Sequence, residues 1–190
     1  DGEMKMPGAQ FFPDSSLNFA ENLLRRTGAD DAIAFRGEDK VKRRLSWDEL
    51  HAEVSRMQQF LKEAGVGEGD RVAAMIPNMP EAVIGMLATA SLGGVWSSCS
   101  PDFGISGVLD RFGQIEPKVL LTVDVYHYAG KRIDIRPKVQ EIAQALPSLN
   151  RTVVRRFVNR AVDRDHHCIR EQAINGQMVQ VAAIVALDKQ

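Results

Sequence analysis

The residues whose types and spacing could do chemistry are concentrated at 93–104, in the stretch GGVWSSCSPDFG. A short apolar run there gives way to serine hydroxyls and a thiol, and Pro101 then removes an N–H donor and ends the strand. Asp102 is predicted to cap the following helix, and Gly104 permits a close backbone approach. Open α/β sheets build ligand sites at strand ends of this kind, although a plain strand-to-helix connection is an alternative.

Two further stretches have the composition of a reactive site but lack its context. The glycine-rich segment at 65–70 follows a predicted helix and precedes a strand, whereas a phosphate loop follows a strand and opens a helix. It is therefore interpreted as a connector. The HHC stretch at 166–168 lacks the second ligand pair of a structural zinc site, so no metal site is predicted. Cys99 has no base near it in the pattern and is interpreted as a small buried residue.

The elements that must position the first stretch alternate between strand and helix. Ser46 and Glu49 form an S-x-x-E capping box that opens a helix to about residue 64. Asn78 is predicted to cap the next helix, over 81–92, whose nearly continuous apolar surface predicts burial. Strands are predicted near 72–76, 94–98 and 119–123, with a helix at 105–115 between the last two. This order predicts an α/β fold, a parallel sheet flanked by helices with right-handed crossovers.

The segments on either side of this unit are less regular. On the N-terminal side, Phe11 and Phe12 are expected to dock an extended arm, and a helix is predicted over 17–24 with Gly28 as its terminator. A hairpin is predicted between a strand at 32–39 and a return strand at 44–45, with a loose surface loop as the alternative. On the C-terminal side follow a polar segment at 124–133, a helix from Asp134 or Arg136 to Leu146, and a strand at 151–154.

Composition limits the possible partners and surroundings. The chain has 190 residues and a formal net charge of −1, which favours neither a nucleic-acid nor a membrane partner. Its two cysteines form no disulfide framework and indicate a reducing, cytoplasmic location. No apolar run approaches the length of a membrane span. Oligomeric state is not indicated by the sequence.

Several stretches in the same order resemble acyl-CoA ligases of the adenylate-forming superfamily. They are LSWDEL at 45–50, VAAMIPNMPEAVIGMLA at 72–88, GGVWSSCSPDFG at 93–104 and VLDRFGQIEPKVLLT at 108–122. The pair WSSCSPDFG and RFGQIEPK is most similar to the members that activate acetoacetate, and FFPDSSLNFAENLL resembles the lead-in of the acetyl- and acetoacetate-activating members. The resemblance covers about residues 10–154 and implies the N-terminal subdomain of such an enzyme, incomplete in this chain.

The resemblance implies a reaction in two steps. A carboxylate, acetoacetate or a similar short acyl acid, attacks the α-phosphate of ATP and gives an acyl-adenylate and pyrophosphate. The thiol of CoA then displaces AMP, and Mg²⁺, lysine and backbone amides stabilise the phosphate charge. The family's phosphate-binding pattern, S/T-G-T-T-G-x-P-K, is absent from the sequence, so no catalytic residue is identified and the chain alone is expected to be inactive.

The resemblance implies a role in CoA binding for two segments of this chain. In similar ligases, the segment equivalent to 100–102 lines the channel for the pantetheine arm, and a basic turn equivalent to 128–132 meets the CoA nucleotide. Acetyl-activating relatives typically carry arginine at the position of Tyr128, which could instead stack on adenine. Lys131 and Arg132 could pair with phosphate, or they could belong to a solvated loop. The candidate CoA contacts are Ser100, Pro101, Asp102, Tyr128, Ala129, Gly130, Lys131 and Arg132.

The sequence changes character after Val154. Residues 1–154 are predicted to be the N-terminal part of the ligase large domain, and 155–190 an atypical, poorly ordered tail. A frameshift or early termination would produce such a tail, and a genuine short paralogue is the alternative. Two functions other than ligase remain open, a non-enzymatic remnant and a stand-alone module that binds CoA or a nucleotide.

Overall fold

The computed structural model describes residues 7–8, 13–38 and 41–155, and the backbone of two strands at 170–174 and 177–181. The helices are α1 (Phe19–Leu23), α2 (Trp47–Glu63), α3 (Pro80–Ser91), α4 (Ile105–Ile115) and α5 (Arg136–Ala145). The strands are β1 (Asp31–Gly37), β2 (Val41–Ser46), β3 (Arg71–Met75), β4 (Val95–Cys99), β5 (Val119–Val123), β6 (Val125–Tyr128), β7 (Lys131–Asp134), β8 (Arg151–Arg155), β9 (Arg170–Ile174) and β10 (Gln177–Val181).

The main sheet has six strands in the order β4-β3-β5-β8-β10-β9. β3 lies between β4 and β5 and is parallel to both, with Val72 opposite Trp96 on one side and Val119 on the other. β8 continues the parallel part beside β5, and β9 runs antiparallel to β10. The predicted α/β class and the predicted pairing of the strands near 72–76, 94–98 and 119–123 are therefore confirmed.

The direction in which the chain crosses the sheet reverses after β4. It moves from β3 to β4 on one side, and then returns past β3 to β5 and on to β8. Because parallel crossovers are right-handed, this reversal places α3 on one face of the sheet and α4 and α5 on the other. α2 contacts α3, and α4 contacts α5, as this arrangement requires. The reversal creates a topological switch point between β3 and β5, where open α/β sheets bind ligands.

Helix α3 is the buried helix that its apolar surface predicts. Ile84 and Leu87 are each only 2% exposed. Gly85 is required for close packing, because a Cβ atom there would lie 2.8 Å from Leu121 Cδ1 and from Trp96 Cη2. A side chain at this position would force Leu121, Trp96 or the helix itself to shift.

The helix ends agree with the sequence in some places and differ in others. The capping box of Ser46 and Glu49 is present at the start of α2, as predicted. The N-cap of α3 is Met79, without a side-chain hydrogen bond, so the prediction for Asn78 is wrong; the Pro80 ring at the first helical position needs no N–H partner. α1 begins later than predicted because Asn18 accepts from the amides of Ala20 and Glu21, and it ends at Leu24 rather than at Gly28.

Two antiparallel hairpins accompany the main sheet. β1 and β2 form the predicted hairpin, with Phe35 opposite Arg43. β6 and β7 form a second hairpin at 125–134, with Tyr128 opposite Lys131, where the sequence was interpreted only as a polar segment. The alternation of VYHY and the dipeptide Ala129-Gly130 are the signals that would have predicted it.

Some predictions lie outside the described residues. These include the docking of Phe11 and Phe12, the stretch at 166–168 and the order of most of the tail. The domain boundary at 154 stays a prediction. Among the described residues, no helix has the length and apolarity that a membrane crossing requires.

Candidate functional site

A cavity of about 320 Å³ opens at the carboxyl ends of β3 and β4, next to the hairpin β6–β7. Its lining comes from residues 76–78 after β3, Ala82 of α3, residues 98–102 at the end of β4, and residues 126–128 of β6. It therefore lies at the carboxyl edge of the parallel sheet, on the β4 side of β3, and its volume suits a small ligand or one arm of a larger one.

The first wall of the cavity is the strand–helix turn, defined here as Ser100–Phe103. The Asp102 carboxylate accepts a hydrogen bond from the Tyr126 hydroxyl at 2.6 Å and another from the Ser100 hydroxyl at 2.7 Å. Asp102 does not cap α4, whose N-cap is Gly104 without a side-chain bond, so that prediction is wrong. The Tyr126 hydroxyl, on β6, binds this carboxylate instead, because charge-assisted O–H···O bonds are among the strongest hydrogen bonds.

Helix α5 also holds the strand–helix turn in place. The Lys138 ammonium group, on α5, donates to the carbonyl of Pro101 at 2.8 Å and to that of Phe103 at 3.1 Å. The guanidinium of Arg111 lies 4.7 Å from the centre of the Phe103 ring, which permits a cation–π contact. The strand–helix turn is thus held by β6, α4 and α5 together.

The electrostatics of this wall follow from those contacts. The hydrogen bonds from Tyr126 and Ser100 hold the pKa of Asp102 below its usual value, so the carboxylate is ionised at neutral pH. Burial of the phenol, together with its bond to Asp102, raises the pKa of Tyr126 to about 12. Burial also raises the pKa of the Cys99 thiol, which is buried as predicted. A protonated thiol is a poor nucleophile, and Cys99 therefore contributes shape to the cavity.

The second wall ends in the hairpin turn, defined here as Tyr128–Arg132, of which Tyr128 lines the cavity. Ala129 and Gly130 have φ values of 50° and 75°, the left-handed pair of a two-residue type I′ turn. Their amides donate to the two carboxylate oxygens of Glu38, each at 2.8 Å. Lys131 and Arg132 follow and are exposed.

The structure divides the predicted CoA contacts into two groups. Ser100, Pro101, Asp102 and Tyr128 line one cavity, whereas Ala129 to Arg132 form the tip of the hairpin beside it. Whether any of the eight contacts CoA stays a prediction. Sequence reasoning missed three residues that hold these walls, Tyr126, Lys138 and Glu38. Each acts on a turn far away in the chain, and a local pattern carries no signal for such a contact.

Two features of the described residues bear on metal and triphosphate binding. In the part of the chain that the structure describes, no three His, Cys, Asp or Glu residues are grouped to hold a metal ion. The segment at 65–70 connects α2 to β3, as predicted, and therefore presents no helix N-terminus to a phosphate chain.

Fold and site together define an open α/β domain with a cavity at the carboxyl edge of its parallel sheet. The chain belongs to the AMP-binding enzyme family, whose model matches residues 21–181. That match extends past β8 and includes β9 and β10.

The relatives that this chain resembles share one activity in their names. The chain is 63% identical over 146 residues to acetoacetyl-coenzyme A synthetase of Rhizobium meliloti (strain 1021), covering 77% of this chain and 22% of the relative. It is 41% identical over 153 residues to acetoacetyl-CoA synthetase of Macaca fascicularis, covering 79% and 23%. A solved acetoacetyl-CoA synthetase from Streptomyces lividans superposes with a TM-score of 0.76 at 45% identity, covering 80% of this chain and 24% of that one. The chain thus spans less than a quarter of the length of these relatives, in their N-terminal portion.

Proposed function

We propose that this chain is the N-terminal portion of an ATP-dependent acetoacetate–CoA ligase and supplies one side of its CoA site. The observation that carries the proposal is the 63% identity over 146 residues with the Rhizobium meliloti synthetase. The cavity at the carboxyl ends of β3 and β4 supports it, because the carboxyl edge of an open α/β sheet is where this class of fold binds ligands.

The proposed reaction joins acetoacetate to CoA at the expense of ATP. Acetoacetate displaces pyrophosphate from the α-phosphorus, and the CoA thiol then attacks the acyl carbonyl and releases AMP. The glycine-rich segment at 65–70 presents no helix N-terminus to a phosphate, and the family's phosphate-binding pattern is absent from the sequence, so we infer that both steps depend on other parts of the ligase. We therefore expect the chain alone to give no acetoacetate-dependent exchange between ATP and pyrophosphate.

Within that reaction, the described residues have a binding role. Ser100, Pro101 and Asp102 would form a fixed wall for the pantetheine arm, since their turn is tied to Tyr126 and Lys138. Tyr128 is 59% exposed beside the cavity and would stack on adenine, while Lys131 and Arg132 would pair with phosphate. One side of a channel makes few contacts, so CoA should bind this chain alone with a Kd of about 1 mM, near −4 kcal/mol.

Two other aspects belong to the same proposal. A cytoplasmic location follows from the substrates, ATP and CoA, and agrees with the two cysteines of the chain. The domain boundary at 154 is retained as a proposal, with β8 as the last element of the first part. A stand-alone CoA-binding module is the second candidate, because the cavity and the hairpin turn both lie within the described residues.

A chimera tests the proposed function. Residues 1–154 of this chain would replace the matching segment of the Rhizobium meliloti synthetase, and acetoacetyl-CoA formation would be measured with acetoacetate, acetate and butyrate. We expect a folded chimera that prefers acetoacetate. A folded chimera without ligase activity that still binds CoA would favour the module, and one that neither reacts nor binds CoA would favour a remnant.

A further inference from the structure

The hairpin turn already holds an anion, and that anion belongs to the protein. Glu38 lies directly after β1, at the tip of the hairpin β1–β2, 91 residues before Ala129 in sequence. Its Oε1 atom accepts from the Ala129 amide and its Oε2 atom from the Gly130 amide, both at 2.8 Å. Two hairpin tips are thus joined by one bidentate, charge-assisted contact.

The geometry of the turn explains why it takes an anion. Two consecutive left-handed residues direct successive amides toward one point and form a concave site for negative charge. The cationic side chains of Lys131 and Arg132 follow immediately and are exposed. A phosphate monoester carries about 1.5 to 2 negative charges at neutral pH and three acceptor oxygens, against one charge and two oxygens for a carboxylate.

The contact is also of a kind that can be exchanged. Glu38, Ala129 and Gly130 are all exposed, so separating them buries no unpaired group and leaves each free to bind water. Glu38 has a φ of 44°, a left-handed conformation that a glutamate adopts at some cost. On the same hairpin, Arg43 pairs with Glu53 and Glu81, and Arg44 pairs with Asp31.

We propose that Glu38 is a built-in competitor for the phosphate site at the Ala129–Gly130 turn, which a phosphate monoester must displace in order to bind. The inference rests on the proposed function, which supplies such a phosphate on the nucleotide end of CoA. An internal ligand lowers the apparent affinity for an external one in proportion to the time it occupies the site. A doubly charged phosphate should therefore displace Glu38 more readily than a singly charged anion does.

The experiment compares wild type with Glu38→Gln, which keeps the size of the side chain and removes its charge. The probes are adenosine 3′,5′-bisphosphate, inorganic phosphate and acetate, titrated into the full chain while the amide resonances of Ala129 and Gly130 are followed by NMR. We expect Glu38→Gln to bind the bisphosphate about tenfold more tightly, since an acceptor without charge competes less well. The affinity for inorganic phosphate should rise by a similar factor if the site contacts only the phosphate group. It should rise by less if the adenosine also makes contacts.

The matched control is Glu141→Gln, an exposed glutamate on α5 that changes the net charge equally. The control should bind like wild type, because the gain depends on the position of the charge and not on its removal. Glu38→Ala provides a second variant, and circular dichroism would check that each protein is folded. The inference is overturned if Glu38→Gln binds no more tightly than the control, if binding leaves the Ala129 and Gly130 resonances unmoved, or if no protein binds either phosphate probe.

The result separates this inference from the proposed function. Tighter phosphate binding by Glu38→Gln combined with an inactive chimera would keep the internal competitor and reject the ligase. An active chimera whose CoA affinity does not respond to Glu38→Gln would keep the ligase and reject the competitor.

Discussion

The strand–helix turn and the hairpin turn border the same cavity but are held in place by different means. Asp102 and the backbone of the first turn receive bonds from two other elements, through Tyr126 and Lys138. The second turn keeps its shape through its own left-handed residues and makes one exposed contact with Glu38. The first is therefore preorganised by the core, and the second is able to exchange partners.

Because of this difference, the two walls are expected to have different roles in ligand binding. A preorganised wall costs little entropy when a ligand binds and suits the uniform, flexible arm of a cofactor. An exposed turn with nearby cations suits a charged end, whose binding is sensitive to salt and to competing anions. Mutations should accordingly affect folding through the first wall and binding through the second.

The largest expected effect comes from the core on which the strand–helix turn rests. Leu87→Ala should lower the free energy of unfolding by about 2–5 kcal/mol, because it removes buried methyl groups and leaves a cavity in the core. Val83→Ala, on the same helix but 37% exposed, should cost much less. Urea denaturation of both variants measures the difference, and equal losses would mean that α3 is not anchored as described.

Tyr126→Phe should lower the free energy of unfolding by about 1–2 kcal/mol at pH 7, since it removes a hydrogen bond to a charged group. The pKa of Asp102 is lowered in the folded protein, so this stabilisation is complete above the usual aspartate pKa of about 3.9 and is lost as the pH falls further. Urea denaturation at pH 7 and at progressively lower pH should show a loss that shrinks as Asp102 becomes protonated in the folded protein. A loss that is independent of pH would show that Asp102 is not the partner.

Lys138→Met should cost about 1 kcal/mol and increase amide exchange in the strand–helix turn, because two carbonyls lose their donor. Lys131→Met is the matched control, a change of the same charge on the exposed hairpin turn. Hydrogen exchange measured by mass spectrometry should separate the two. If both variants exchange alike, the two walls do not differ in the way proposed.

Arg132→Ala should have the smallest effect on stability, within about 0.5 kcal/mol, because the side chain is exposed. Its expected effect is on ligand binding. The substitution should weaken the affinity for adenosine 3′,5′-bisphosphate at low salt, and weaken it by less at high salt. Isothermal titration at two salt concentrations measures it. A large loss of stability instead would place Arg132 in the fold rather than in the site.

Local patterns predicted the elements well where one interaction dominates. The capping box at Ser46 and the apolar face of 105–115 each depend on residues within two turns, and both helices are present as expected. Asp102 shows the opposite case. A short acidic residue before a helix satisfies the rule for an N-cap, but Tyr126 competes for the same carboxylate and the sequence does not reveal which contact is the stronger.

The candidate site could be predicted only in outline for the same reason. The turn at 100–102 follows from a strand end that is visible in the sequence, whereas the segment at 128–132 is indicated only by the family resemblance. The contacts of Lys138 with Pro101 and of Glu38 with Ala129 join residues 37 and 91 positions apart. Such contacts depend on how the crossovers and hairpins are arranged in space, and no spacing rule encodes that.

The central place of β3 also has a consequence for the order in which the protein assembles. Because β3 pairs with the two strands that follow it, residues 71–123 contain a complete three-stranded sheet with both crossover helices. A chain leaving the ribosome can close this nucleus before β8 has been synthesised, which keeps the early loop closures short. Glu38 emerges well before this nucleus and must wait for Ala129, so the junction of the two hairpin tips cannot form until the three-stranded sheet has been synthesised.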